Sequence, residues 1–367
     1  MNLQHLAETV QAARTDRKPL EIRGGGTKLF YGGVPTGQRL STAGLTGITA
    51  YEPSELVVTV GAGTPLAELE ALLAEQGQCL PFEPPRFGEP ALSVGKHAGT
   101  VGGMVAAGLS GPSRAAVGSL RDYVLGATLL NGRAELLHFG GTVMKNVAGY
   151  DVSRLLAGSL GTLGLICQVS LKVLPVAQAT ATVRLELSMG DAIQHLNQLG
   201  GLPLPLNASA WWDGLLVLRF TGAAAAVQAA RQSVGGELIA SDTAAAFWGG
   251  LRDHRDEFFV GAATAVDQGA NLWRLSVPPT TAPLVLSGEQ LIEWGGAQRW
   301  LCTSAPAATL REAAAAAGGH ATLFRGLDKR AGAFAPLAPA LARIHAELKK
   351  AFDPDAVFNP GRLVPSL

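Results

Sequence analysis

The hexapeptide Arg23-Gly24-Gly25-Gly26-Thr27-Lys28 directly follows the short apolar run Pro19-Leu20-Glu21-Ile22. The apolar run predicts a strand over residues 19–23, and the glycines predict a tight loop after it. Glycine adopts positive φ readily and has no Cβ, so consecutive glycines can turn several backbone N–H groups toward one anion. Two interpretations fit this stretch alone, a tight turn or an anion-binding nest suited to a pyrophosphate.

Two further glycine clusters occur in the same half of the chain, Gly99-Thr100-Val101-Gly102-Gly103 and Gly158-Ser159-Leu160-Gly161-Thr162-Leu163-Gly164. Three clusters in one domain favour the nest and suggest an extended dinucleotide. The common nucleotide motifs do not fit. Gly61-Ala62-Gly63 is followed by Leu66 where G-x-G-x-x-G needs glycine, and Gly95-Lys96 lacks the flanking residues of a P-loop. Neither a Rossmann site nor a P-loop is expected.

Composition limits the compartment and the partners. The 367 residues suffice for two domains. Lys+Arg and Asp+Glu balance at 29 each, so we expect no nucleic-acid partner. Cys79, Cys167 and Cys302 are widely separated, which favours a reducing compartment. The N-terminus has no apolar signal region and no window reaches 18 apolar residues, so we expect a cytoplasmic chain that reaches a membrane only through a partner.

The glycine clusters stop at Pro175, where a regular alternation of strands and helices begins. We therefore expect a first domain of residues 1–175, a second of residues 176–330, and a C-terminal helix and tail, residues 331–367, that return to the first domain. The second domain is predicted to be a smaller α+β sheet domain with helices on one face, and its Ala-rich helices are best interpreted as core.

The strongest hairpin signal is Asn131-Gly132, which lies between the apolar stretches Val124–Leu130 and Ala134–His138. Both turn positions tolerate positive φ, as a two-residue hairpin turn requires. The sequence therefore predicts two antiparallel strands joined at this dipeptide.

Five motifs, in this order, resemble the landmarks of the vanillyl-alcohol-oxidase-type flavoproteins, which carry a PCMH-type FAD-binding domain. They span the first 175 residues and the C-terminal tail, and comprise Arg23-Gly24-Gly25-Gly26-Thr27-Lys28, Thr100-Val101-Gly102-Gly103-Met104, Val147-Ala148-Gly149-Tyr150-Asp151, Gly158-Ser159-Leu160-Gly161-Thr162-Leu163-Gly164 and Asn359-Pro360-Gly361-Arg362.

The resemblance implies an α+β fold, with FAD between two α/β subdomains of the PCMH-type domain and a ferredoxin-like α+β cap domain after it. The pyrophosphate would lie on the first two glycine clusters, and the third would lie against the cofactor. In covalent relatives a histidine follows the glycine pair of the first loop. Thr27 takes that place here, so non-covalent FAD is expected. The implied cofactor-binding residues are Arg23, Gly24, Gly25, Gly26, Thr27, Lys28, Gly99, Thr100, Val101, Gly102, Gly103, Gly158, Gly161, Thr162, Gly164 and Asn359.

Oxidation of a 2-hydroxy acid at a flavin needs a cation for the carboxylate and a base or metal for the hydroxyl proton. The candidate catalytic residues are His320, Arg325 and Lys145. Each has a structural alternative, namely a hydrogen-bonded histidine at a strand start, a structural ion pair and a solvated lysine. Related lactate and glycolate dehydrogenases place paired histidines around a metal in the second domain, whereas His320 stands alone, so no metal site is expected.

Within the family, the short second domain and the stretch Met144–Asp151 resemble most closely the FAD-binding subunits of glycolate oxidases. This implies an FAD-binding subunit of a glycolate (2-hydroxy acid) dehydrogenase complex, peripheral to the inner membrane through its partners. Those partners would be a sister flavin subunit and an iron–sulfur subunit, since three scattered cysteines cannot hold a cluster. One alternative is a self-sufficient, D-lactate-like FAD-dependent dehydrogenase or oxidase. Another is a flavin-free scaffold, against which the intact glycine clusters argue.

Overall fold

The structure of the chain is a computed structural model, which describes residues 3–88, 99–141 and 151–365. Within these ranges the helices are α1 (Leu3–Asp16), α2 (Leu66–Glu75), α3 (Val101–Ala107), α4 (Arg114–Val117), α5 (Met189–Gly200), α6 (Ala224–Val234), α7 (Ser241–Asp253), α8 (Glu257–Asp267), α9 (Ala307–Ala316) and α10 (Pro339–Phe352). The strands are β1 (Leu20–Arg23), β2 (Gln38–Ser41), β3 (Ile48–Glu52), β4 (Val57–Gly61), β5 (Gln78–Cys79), β6 (Val124–Leu130), β7 (Leu136–Gly140), β8 (Leu165–Lys172), β9 (Leu174–Pro175), β10 (Ala179–Glu186), β11 (Leu206–Trp212), β12 (Leu215–Gly222), β13 (Glu237–Ile239), β14 (Asn271–Ser276), β15 (Glu289–Glu293), β16 (Gln298–Thr303) and β17 (His320–Arg325).

The chain forms two compact units. The first comprises Met1–Leu109, Ser119–Pro175 and Pro336–Leu367. The second comprises Ser110–Gly118 and Val176–Ala335. The division is thus not linear, because the short segment that contains α4 belongs with the second unit. No helix in the described ranges is long and apolar enough to cross a membrane.

An antiparallel sheet of five strands, in the order β3-β4-β8-β6-β7, forms the centre of the first unit. Successive side chains of a strand point to opposite faces, so a central strand covered on both faces is apolar throughout. In β8, Val169 and Leu171 belong to a core shared with α2 and α3. Leu165 and Cys167 belong to a second core shared with α1. The sheet is therefore covered on two sides.

The C-terminal tail pairs with β1, the strand that leads into the first glycine cluster. Leu20 N donates to Val357 O (2.7 Å), and Asn359 N donates to Leu20 O (3.0 Å). On its other side β1 pairs in parallel with β2. The strand thus lies between two segments that are far apart in the sequence, and its end is fixed on both sides.

A buried ion pair holds the end of α10 against this tail. Lys349 Nζ donates to Asp353 Oδ2 (2.7 Å), Thr162 O (2.8 Å) and Phe358 O (2.8 Å). The second carboxylate oxygen of Asp353 accepts from Val357 N (3.0 Å), and Oδ2 also accepts from Phe358 N (2.7 Å). Burial lowers the pKa of Lys349, and the charge of Asp353 partly restores it. Two buried charges are tolerated here because the surrounding carbonyl and N–H groups supply hydrogen bonds to both.

The second unit contains an antiparallel sheet of eight strands, in the order β13-β10-β12-β11-β15-β16-β14-β17. It consists of two ferredoxin-like halves, joined by the pairing of β11 with β15. The first half has the complete β-α-β-β-α-β pattern, from β10 to β13. In the second half, from β14 to β17, the irregular segment 277–288 replaces the first helix. The ferredoxin-like α+β cap expected from the resemblance is therefore present as a doubled version.

Helices cover both faces of this sheet, so the prediction of helices on one face was wrong. On one face, Val183 and Leu218 form a core with α5 and α6. On the other face, Trp248 of α7 donates its indole N–H to Thr182 Oγ1 (3.1 Å). Phe259 of α8 packs edge-on against Trp300 of the same sheet, with 5.1 Å between ring centroids. Buried aromatic residues on the second face supply the apolar area that the Ala-rich helices lack.

The hairpin predicted at Asn131-Gly132 is present, but its turn differs from the prediction. Leu130 pairs with Leu136, so the connection has more than two residues, and Ala134 is the residue that takes positive φ (62°). Asn131 is buried, and its Oδ1 accepts from Arg133 N and Glu135 N (both 2.9 Å). A Cβ at Gly132 would collide with Asp353. Glycine is needed there for the approach of the tail, which a local turn rule cannot detect.

Replacing Asp353 with alanine is expected to lower the free energy of unfolding by about 3–5 kcal/mol, because Lys349 would remain buried without its counter-charge. Urea titration followed by circular dichroism measures this. The matched control is Asp355→Ala, which removes a partly exposed ion pair with Arg14 (2.8 Å) and should cost less than about 1 kcal/mol. Equal losses in the two variants would contradict the role given to the buried pair.

Candidate cofactor-binding site

The first glycine cluster forms a loop at the end of β1 and lines an open cleft of the first unit. Thr42 N donates to Arg23 O (2.9 Å) where the strand ends. Gly26 then takes φ of 76°, which side-chain-bearing residues rarely adopt. A Cβ at Gly24 would collide with the hydroxyl of Thr100. Glycine is thus required once for conformation and once for close approach to the second cluster.

Two carbonyls of this loop are occupied by hydrogen bonds from the residues that follow it. The carbonyl of Gly26 accepts from Leu29 N (3.4 Å), and that of Lys28 accepts from Tyr31 N (3.1 Å). Among the residues that the structure describes, no hydrogen bond has the N–H of Gly24, Gly25 or Gly26 as its donor. Available N–H groups beside occupied carbonyls are the arrangement of an anion nest.

The second cluster forms the start of α3. Thr100 is the N-cap, with its Oγ1 accepting from Gly103 N (3.2 Å), and both residues line the cleft. Gly102 is buried on the opposite side, where a Cβ would lie 2.6 Å from the Cβ of Ala62. Val101 is fully buried in the core. A Cβ at Gly99 would lie 3.5 Å from Thr27 Oγ1, which places this residue beside the nest.

Leu160 is the residue of the third cluster that lines the cleft, and the tail residue Asn359 lines the cleft beside it. Asn359 Nδ2 donates to Leu160 O (2.6 Å), and its Oδ1 accepts from Ile22 N (2.8 Å). A Cβ at Gly161 would lie 2.7 Å from Asn359 Nδ2. One amide side chain thereby joins the third cluster to β1, immediately before the nest.

The four predicted cofactor-binding residues of the third cluster, Gly158, Gly161, Thr162 and Gly164, are not among the residues that line the cleft. Thr162 Oγ1 donates to Ser159 O (2.8 Å), while its carbonyl accepts from Lys349. Gly158 has φ of 85°, and Gly164 has φ of 153° with no room for a Cβ beside Leu130 O (2.8 Å). Their positions indicate a structural contribution to the loop.

The charged side chains that line the cleft are three cations, Arg23, Lys28 and Arg362, and one carboxylate, Glu21. Arg23 Nε donates to Glu21 Oε1 (2.8 Å), so this pair is internally neutralised. Lys28 Nζ lies 5.7 Å from the centroid of the Phe87 ring. The positive charges of Lys28 and Arg362, together with the backbone donors, fit a pyrophosphate.

Two of the candidate catalytic residues lie in the described part of the second unit. His320 and Arg325 are the first and last residues of β17, which corresponds to a separation of roughly 16 Å along an extended strand. Partial burial and the charge of Arg274 lower the pKa of His320. Burial lowers the pKa of Arg325 to about 10. Lys145 lies outside the described residues. In the described part of the chain, no group of three or more His, Cys, Asp and Glu residues could hold a metal ion.

Several residues of the cleft were not in the predicted set. Arg362 belongs to the C-terminal motif Asn359-Pro360-Gly361-Arg362 quoted above. The sequence therefore pointed to this residue, but it did not indicate what the side chain contacts. Leu160 likewise belongs to the third glycine cluster. The others lie outside the quoted motifs, and their own sequence context gives no indication of a ligand, namely Glu21, Ile22, Leu29, Pro35, Ala106 and Ala107.

Comparison with known proteins places this site in a family. Residues 2–140 match the family model described as FAD binding domain. This range contains the whole first glycine cluster and the second, so the fold and the cleft define an FAD-binding flavoprotein. FAD is the cofactor of this class.

Over 364 residues the chain is 44% identical to the glycolate oxidase subunit GlcE of Escherichia coli (strain K12), covering 99% of this chain and 98% of that protein. The chain belongs to the GlcE family of FAD-dependent oxidoreductases that act on CH–OH groups.

The chain is also similar to two more distant proteins. The chain is 29% identical over 184 residues to the glycolate oxidase subunit GlcD of Bacillus subtilis (strain 168), covering 50% of this chain and 37% of that protein. A solved structure of alkyldihydroxyacetonephosphate synthase superposes with a TM-score of 0.62 at 18% identity, covering 97% of this chain and 75% of that one. At this low identity the match concerns the fold alone, and it agrees with the PCMH-type α+β class.

Replacing Gly25 with aspartate is expected to abolish flavin binding, because a carboxylate would stand among the donors that hold the pyrophosphate. The flavin-to-protein absorbance ratio of the purified variant measures this. The matched control is Gly261→Asp in α8, an exposed position where a Cβ meets nothing within 4 Å. A Gly25→Asp protein with normal flavin content would remove the loop from the cofactor site.

Proposed function

We propose that this chain is the FAD-binding subunit of a glycolate (2-hydroxy acid) dehydrogenase complex, in which electrons from the hydroxy acid pass through flavin to an iron–sulfur subunit. The observation that carries the proposal is the similarity to GlcE over 99% of this chain and 98% of that protein. The similarity to GlcD over half of the chain supports a sister flavin subunit as a second partner.

The residues of the first unit would hold the cofactor. When bound, FAD supplies a hydride acceptor for the oxidation of a CH–OH group. The N–H groups of Gly24, Gly25 and Gly26 would donate to the pyrophosphate, with Lys28 and Arg362 adding positive charge. Thr100 and Asn359 line the same cleft and would complete its polar wall. Backbone donors of this kind need no reorganisation when an anion binds.

The sister subunit is the better candidate for the chemistry on the hydroxy acid. A 2-hydroxy acid needs its carboxylate and its hydroxyl group bound a few ångströms apart, by a cation and by a proton acceptor. In this chain, the two candidates for those tasks in β17 stand at opposite ends of the strand. His320 and Arg325 therefore fit structural roles better than a shared substrate.

The flavin spectrum under anaerobic conditions tests the proposed division of tasks. We expect glycolate to leave the flavin bands of the isolated chain unchanged and to bleach them when the sister flavin subunit and the iron–sulfur subunit are present. Dithionite, added last, controls for a flavin that cannot be reduced. Bleaching of the isolated chain by glycolate or D-lactate would instead establish a self-sufficient dehydrogenase.

The flavin is expected to be released completely when the protein is precipitated with acid, because Thr27 stands where covalent relatives have the histidine that bonds to the ring. Flavin fluorescence in the supernatant, compared with total flavin after proteolysis of the pellet, measures the released fraction. Flavin retained on peptides from the pellet would contradict the non-covalent assignment.

A further inference from the structure

The loop that follows the nest is held by one arginine from the C-terminal tail. Arg362 Nη2 donates to Tyr31 O (2.7 Å), while Nη1 donates to Leu29 O (3.2 Å) and to Gly33 O. In return Gly33 N donates to Arg362 O (2.8 Å). The guanidinium is buried, with the residue 7% exposed, and burial lowers its pKa. A planar fork of donors can hold three carbonyls at once, which an ammonium group on a flexible stem cannot do in the same geometry.

Two of the three carbonyls held by Arg362 belong to residues whose N–H groups bond to the nest. Leu29 N donates to Gly26 O, and Tyr31 N donates to Lys28 O. A peptide unit is planar and its C=O and N–H groups point in opposite directions. Fixing the carbonyl of Gly26 on one side therefore fixes the N–H of Thr27 on the other. Arg362 therefore holds the two residues, Leu29 and Tyr31, whose N–H groups bond to the peptide groups that follow Gly26 and Lys28.

Close contact between the tail and the loop supports the same coupling. A Cβ at Gly33 would collide with the carbonyl of Gly361, so the two backbones meet without intervening side chains. Asn359, three residues before Arg362, bonds to Ile22 at the other end of the nest. The tail thus fixes the residue before the nest and the loop after it.

We propose that Arg362 is a positioning residue for FAD, which keeps the Gly24–Lys28 nest in its anion-binding conformation by holding the carbonyls of residues 29, 31 and 33. Its charge alone is not sufficient for this role, because the positions of the three acceptors require the guanidinium fork. The inference rests on the FAD-binding part of the proposed function and does not depend on the substrate or on the partner subunits.

The test compares FAD affinities of the full-length apoprotein, measured by quenching of flavin fluorescence on titration. Arg362→Lys keeps the charge and loses the fork, and we expect at least a tenfold weaker Kd. The matched control is Arg311→Lys in the second unit. Arg311 likewise donates to three loop carbonyls, those of Ala331, Gly332 and Phe334, and burial likewise lowers its pKa. Its Kd for FAD should be that of the wild type.

Urea unfolding of the apoproteins separates positioning from stability. Similar losses of stability in the two lysine variants, with weaker FAD binding only in Arg362→Lys, would support the proposal. Unchanged affinity in Arg362→Lys, or an equal loss of affinity in both variants, would overturn it. If Arg362→Lys does not fold, Gly33→Ala separates the tail from the loop while keeping the arginine, and it should weaken FAD binding as well. A wild-type chain that binds no FAD would overturn the proposed function itself.

Discussion

The first unit depends on the buried ion pair between Lys349 and Asp353. The ammonium group joins α10 to the third glycine loop, at Thr162 O, and to the tail, at Phe358 O. The carboxylate fixes the N–H groups of the two residues before Asn359. Asn359 then bonds to Ile22 and Leu160, which belong to the walls of the cleft. The position of the cofactor cleft is therefore set by two charges that do not line it.

A buried ion pair contributes little net free energy to folding, because the cost of desolvating both charges offsets much of the attraction between them. An apolar pair of similar volume would leave the N–H groups of Val357 and Phe358 without acceptors and the carbonyls of Thr162 and Phe358 without donors. Each such buried polar group costs about 1–3 kcal/mol. A tail that must run irregularly past two loops exposes many such backbone groups. Side chains with several donors or acceptors satisfy them together, and Arg362 and Asn359 do the same nearby.

The sequence allowed the tight loop after β1, the family and the cofactor to be predicted because those features have local motifs. Gly24 and Gly26 need no side chain for conformational and steric reasons that recur wherever an anion loop is built. It did not allow prediction of the contact of Lys349 with the third glycine loop or of the role of Arg362, since Thr162 is 187 residues from Lys349 and the partners of Arg362 are 329–333 residues away. The turn at Asn131-Gly132 was mispredicted for the same reason. A Cβ at Gly132 would collide with Asp353, and turn rules based on neighbouring residues do not include such a long-range contact.

Helices cover both faces of the sheet in the second unit because α7 and α8 pack on the second face. The buried aromatic residues of these two helices do not recur with a period that would identify that face from the sequence.

A nest built mainly from backbone donors changes which residues matter for affinity. Arg23 is paired with Glu21, so part of the side-chain charge at the cleft is already neutralised before an anion arrives. Attraction then depends on how well the N–H groups of Gly24–Gly26 are aligned, and alignment is a property of the peptide planes and not of any side chain among them. The tail contacts this loop on both sides, because Asn359 bonds to Ile22 before it and Arg362 bonds to Leu29 and Tyr31 after it. In the proposed function, a flavoprotein with equal numbers of acidic and basic residues would hold its pyrophosphate mainly on backbone donors, without an arginine cluster.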